Sequence, residues 1–173
     1  MVLLLSIMTF PPLPTGQTHC YNNTEIIPCH NLDFPQQDAD NYQPLLKNRY
    51  KQLSKNSILD QITRFIWMKY PAPKNKDWQG AINYCQNLKL DQRHWTLPNI
   101  LELNSLVEIA RKDFKINTDF FKNSDTINYW TAYQSKTNKI MPTKQAWFIN
   151  FKTGAIFDME KSNQLGVRCV SKP

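Results

Sequence analysis

"WTLPNILELNSLVEIA", residues Trp95 to Ala110, holds both the start of a helix and the means of docking it. Pro98 disfavours helical backbone in the residue before it, so Leu97 is extended and the chain's angle of approach is set. Asn99 then stands at the N-cap, and Glu102, three residues on, completes the spacing of a capping box. Ile100 opens an apolar stripe that continues through Leu103, Leu106, Val107 and Ala110, so the helix is expected to run to Ala110. Trp95 and Leu97 alternate into a core as a short extended segment. Nearly every residue has a structural task, so the stretch reads as a docking device rather than an active site.

Working outward, Asp77 is a good N-cap for a second helix, with Trp78, Ala81, Cys85 and Leu88 on one stripe. "LDQRH" breaks that helix. Before it, "SILDQITRFIWMKY" (Ser57 to Tyr70) has the β-branched and aromatic content of one or two strands turning near Asp60 and Gln61. Residues 19–56 are polar and proline-punctuated, with a short helix expected from Leu45 to Leu53. They read as an N-terminal extension packed on a main domain, 57–173. Downstream come an apolar turn at Phe120 and Phe121, and a strand at "YWTAY". A hairpin follows, "AWFINF" and "AIFDM" around "KTG", where Gly154 can take the positive φ of the turn. "GVRCVS" is the last strand and carries Cys169 into the core. The class is α+β: two helices packed on a small antiparallel sheet.

The 173 residues, 41% hydrophobic and 12% aromatic, suffice for one domain with a substantial core. Residues 1–18 carry no charge, have an apolar run from Val2 to Phe10 and then break into prolines. The run is too short to span a bilayer and fits an export signal. It lacks a basic residue before the run and a small-residue cleavage site, and a buried N-terminal strand is the competing reading. His19 before Cys20 argues against lipid attachment. Four cysteines agree with export, and two disulfides among them have three possible connectivities. Cys20 and Cys29 flank a turn-sized segment, which leaves Cys85 for Cys169. That long closure would stabilise by roughly 4 kcal/mol in the chain-entropy picture. The histidines, His19, His30 and His94, lack zinc-site spacing, so no metal and no other cofactor is expected.

The elements also carry a resemblance. In order they are "TGQTHCY" with "IIPC" (Thr15 to Cys29), "ITRFIWMK", and Trp78, Ala81, Tyr84, Cys85 and Leu88 at their spacing. "WTLPNILELNSLV", "YWTA", "AWFINFKTG" and "VRCV" follow. Together they resemble the Lcl C-terminal domain family, called after a Legionella collagen-like adhesin, over about residues 15 to 171. Thr96 departs from the arginine usual at its place. The resemblance implies a C-type lectin-like fold, similar also to formylglycine-generating enzymes, with adhesin-like glycosaminoglycan binding as precedent. Fold alone does not fix function.

Three function classes compete. An oxidising enzyme similar to the formylglycine generators needs a reactive cysteine pair near the C-terminus, where only Cys169 lies. No Gly-x-Ser-x-Gly occurs either, so no catalytic residues are assigned. A calcium site needs an oxygen-rich loop, and "LPN" has no acid before it. A metal-free binding module remains. By analogy with the lectin-like superfamily its ligand face is Tyr133, Lys136, Lys139, Lys144 and Lys161, aromatic and cationic groups suited to sugar rings and their sulfates or carboxylates. The net charge of +7 favours an anionic polysaccharide, with a cell-surface or envelope protein as the other partner. Export argues against nucleic acid. The looser basic clusters are "KNRYK" (Lys47 to Lys51) and "RKDFK" (Arg111 to Lys115). A structural subunit of a surface fibre or envelope complex fits the same sequence. The expected place is the periplasm, the cell surface or the medium of a Gram-negative bacterium, with no membrane-spanning segment.

Overall fold

The computed structural model describes residues 19–29, 37, 48–122, 126–135 and 144–172, and the expected export signal lies outside them. Strands β1 (Cys20–Tyr21) and β2 (Ile26–Ile27) form an antiparallel ribbon closed by the Cys20–Cys29 disulfide. Asn22 makes its turn, its Oδ1 accepting the N–H of Thr24 and Glu25 at 2.9 and 2.6 Å. Four strands form a second sheet in the order β3 (Tyr50–Gln52), β4 (Ser57–Asp60), β5 (Ile66–Met68) and β9 (Val170–Ser171). A third sheet is the meander β6 (Asn128–Gln134), β7 (Gln145–Asn150) and β8 (Ile156–Glu160). All named pairings are antiparallel.

The α+β class holds, but one small sheet under two helices does not. The last segment of the chain laces the second and third sheets together. Gly166 bridges Tyr129 of β6, while Val170 pairs with Trp67 of β5 and exchanges both backbone hydrogen bonds with Thr96 at 2.9 Å. A Cβ on Gly166 would sit 2.6 Å from Thr126 Cγ2 and 3.1 Å from the carbonyl oxygen of Asn128, so the lacing needs glycine.

Strand alternation feeds two cores. Ile66, Met68, Trp130, Phe148 and Cys169 enter one, with Trp78, Ala81, Cys85, Trp95 and Leu97. Their neighbours in sequence, Trp67, Tyr129, Ile149 and Val170, enter the other, with Tyr50, Leu103, Leu106 and Phe121. The central strands are therefore buried on both faces.

Helix α1 (Trp78–Asn87) is capped by Asp77, whose Oδ1 accepts the Gly80 N–H at 2.6 Å, and lays Trp78, Ala81 and Cys85 into the first core. Cys85 and Cys169 are both fully buried and disulfide-bonded, Cα to Cα 5.5 Å, as the spacing suggests. Helix α2 (Ile100–Asn104) carries the expected capping box. Asn99 Oδ1 accepts the Glu102 N–H and Glu102 Oε2 accepts the Asn99 N–H, each at 2.8 Å.

The expected run of α2 to Ala110 is not found. Ser105 Oγ donates to the Glu102 carbonyl at 2.7 Å, and Arg49 donates to the Ser105 carbonyl at 2.5 Å. That carbonyl is the acceptor a continuing helix would offer to residue 109. The chain tightens into turns instead (Leu106 N–H to Leu103, Val107 N–H to Asn104), which still bury Leu106 and Val107 but leave Ala110 exposed. The helix expected from Leu45 to Leu53 is also corrected, because Tyr50–Gln52 is the edge strand β3. Tyr50 is drawn there by Phe121, edge-on at 5.0 Å.

Candidate functional site

The ends of β6, β7 and β8 meet at one corner. The Lys161 N–H donates to the Lys144 carbonyl at 2.8 Å, and the Ser135 N–H to the Gln145 carbonyl at 3.1 Å. A register shift between Trp130 and Gln134 bends β6 as it reaches this corner, and Tyr133 stands out 53% exposed. Of the expected ligand face, the structure thus brings Tyr133, Lys144 and Lys161 together. Lys136 and Lys139 follow directly in sequence and lie outside the described residues.

The corner is firmly built. Lys161 Nζ stands 4.7 Å above the centre of the Trp78 ring and donates to Gln134 Oε1 at 2.8 Å. The Trp78 indole N–H in turn donates to the Thr131 carbonyl at 2.8 Å. Ser135 Oγ donates to Asp158 Oδ2 at 2.5 Å. Lys161 therefore shares its charge with an aromatic face of its own protein. Tyr133 and Lys144 are the exposed members. Trp78 is legible only as a residue of the α1 stripe, and nothing in the local sequence marks Ser135, which the β6–β8 topology brings to Asp158.

The two basic clusters fare differently. In "KNRYK" the arginine is not a surface cation, because Arg49 is 1% exposed and bonds Asp60 Oδ2 from Nε at 3.1 Å and Nη2 at 2.7 Å; Lys51 is exposed, and Lys47 lies outside the described residues. "RKDFK" borders an open depression of about 570 Å³ lined by Arg111, Lys112, Asp113, Phe114 and Thr118. Arg111 is paired there with Glu108 at 2.5 Å, and Lys115 Nζ donates to the Arg111 carbonyl.

Among the described residues, all four cysteines are in disulfides, and no group of three or more His, Cys, Asp or Glu side chains is placed to hold a metal ion. No described helix is long and apolar enough to cross a membrane.

Residues 56–171 match the family model of the Lcl C-terminal domain. The chain belongs to this family. The matched Lcl C-terminal domain contains α1, α2, the Cys85–Cys169 bridge and the described residues of the β6–β8 corner. The Cys20–Cys29 ribbon, β3 and the buried Arg49 precede it. No curated protein matches the chain.

Proposed function

We propose that this Lcl C-terminal domain protein is a non-enzymatic, exported, adhesin-like binding protein, and that the β6–β8 corner recognises an anionic glycan or an envelope partner. The observation that carries the reading is one corner where the backbones of exposed Lys144 and indole-backed Lys161 are bonded, with exposed Tyr133 near the end of the adjoining strand β6. An aromatic face stacks on a sugar ring, and lysines pair with sulfate or carboxylate. A C-type lectin-like architecture is part of the proposal, supported by the leucine-proline lead into α2 and the long-range disulfide. Disulfides favour an oxidising compartment. Cys169, fully buried and bonded to Cys85, is poorly placed to be a reactive thiol, which favours binding over oxidative catalysis.

Heparin affinity at rising salt tests this. Exposed charges are screened beyond about 8 Å at physiological ionic strength, so binding should weaken steeply with salt and ignore chelators. Reversing Lys136, Lys139 and Lys144 together to glutamate should abolish it, and Tyr133→Ala should weaken it without loss of stability. Retained binding by the folded triple variant overturns the assignment. A second reading, a structural subunit, draws on β8, the last strand of its sheet, with Ile156 and Phe157 exposed at 39% and 50%.

A further inference from the structure

A second basic surface forms where no single stretch of sequence shows one. The turn between β3 and β4 is closed by the Leu53 N–H donating to the Ser57 carbonyl at 3.0 Å. Its two serines, Ser54 and Ser57, donate to the same carboxylate oxygen of Asp91 at 2.7 and 2.6 Å, which pins it to the loop that follows α1. The end of β5 joins them, as the Lys69 N–H donates to the Asn56 carbonyl at 2.8 Å. Three distant segments thus share one end of the four-stranded sheet.

Their composition is one-sided. Lys55, Lys89 and Arg93 are exposed, and half-buried Lys69 lies 5.7 Å from the centre of the Tyr70 ring. The carboxylate within these segments, Asp91, is turned onto the two serine hydroxyls. Among the cations stand two apolar side chains facing solvent, Leu53 at 43% and Tyr70 at 48% exposure. Cations alone would suit any polyanion. Exposed leucine and tyrosine set among them favour a partner that also removes apolar surface from water.

We propose that this end of the molecule docks on an anionic lipid surface, Leu53 and Tyr70 entering the interface and Lys55, Lys69, Lys89 and Arg93 meeting the headgroups. Interfacial binding combines buried apolar area with attraction to anionic headgroups, and tyrosine and lysine suit the boundary because each joins an apolar body to a polar tip. The surface is separate from the β6–β8 corner.

Sedimentation of the full chain with phosphatidylglycerol–phosphatidylcholine vesicles, against pure phosphatidylcholine, tests it. Binding is expected only to the anionic vesicles. Each basic side chain near such a surface is worth about fivefold in partitioning, so K55Q/R93Q should lower it about 25-fold. L53S should lower it about tenfold and leave heparin affinity unchanged. Unchanged near-ultraviolet circular dichroism verifies that the variants fold, and the triple glutamate variant of the glycan corner should sediment like the parent. No binding to anionic vesicles at low salt overturns the proposal. So does vesicle binding indifferent to both variants, which would place it elsewhere in the chain. Loss through K55Q/R93Q with L53S neutral, accompanied by a parallel loss of heparin affinity, overturns it in favour of a soluble polyanion.

Discussion

The two cores solve one problem with different chemistry. In the first, polar groups are few and neutral. The indole N–H groups of Trp78, Trp95 and Trp130 donate to the backbone carbonyls of Thr131, Leu90 and Lys76, each at 2.8 Å, and a disulfide closes the wall. The second core has no disulfide among its members and is bordered by two buried guanidinium groups. Arg49 is held by Asp60 and the Ser105 carbonyl. Burial lowers its pKa, but Tyr50 and Asp60 outweigh that and leave it raised. Among the described residues Arg168 has no carboxylate partner. It donates to the carbonyls of Met68, Lys69 and Lys122 at 2.6 to 3.0 Å and lies over the rings of Phe121 and Tyr129. Its pKa is lowered by burial, against some support from Tyr129. The same sheets are thus fixed covalently on one side and electrostatically on the other.

Removing each fixing in turn measures the difference. Replacing Cys85 and Cys169 together by serine should cost most, about 4 kcal/mol for so long a closure, read as a fall in the urea midpoint. A loss under about 1 kcal/mol would mean that the first core stands without its staple. Asp60→Ala should follow at about 3 kcal/mol, because it strands the Arg49 charge in the interior. The sharper result is the double variant Arg49→Met/Asp60→Leu. It should recover most of that loss, since the cost comes from the abandoned charge and not from a missing attraction. A double variant as unstable as Asp60→Ala would make the pair itself the source of stability. Asn99→Ala is the smallest step, about 1 kcal/mol for a lost cap, with heparin affinity unchanged. A stable variant that no longer binds would turn the cap into a ligand contact.

Much of the fold was readable because its signals are local. Asp77 and Asn99 announce caps by position, Gly154 announces its turn and is found at φ 80°, and the cysteine pairing follows from spacing. The two buried cations bordering the second core were not. Arg49 and Arg168 look like surface residues in a basic chain, and only the fold supplies the carbonyls and rings that let them be buried. Arg49 also explains the early end of α2, since it takes the Ser105 carbonyl from 56 residues away, beyond any local pattern. The candidate corner was half legible. Tyr133 and Lys144 stand exposed as read, whereas Lys161 is committed to Trp78 and Gln134 by a contact that the order of the strands creates.

The Cys85–Cys169 bond has one more consequence, concerning cuts in the chain. It closes the polypeptide from 85 to 169 into a covalent ring that carries α2 and all of β6, β7 and β8. A protease that nicks this ring once, between β6 and β7 for example, releases nothing. The two pieces stay one molecule, migrate together without reductant and separate only when the bond is opened. A protein displaying a recognition loop inside such a ring can be clipped in that loop and still present both flanking strands.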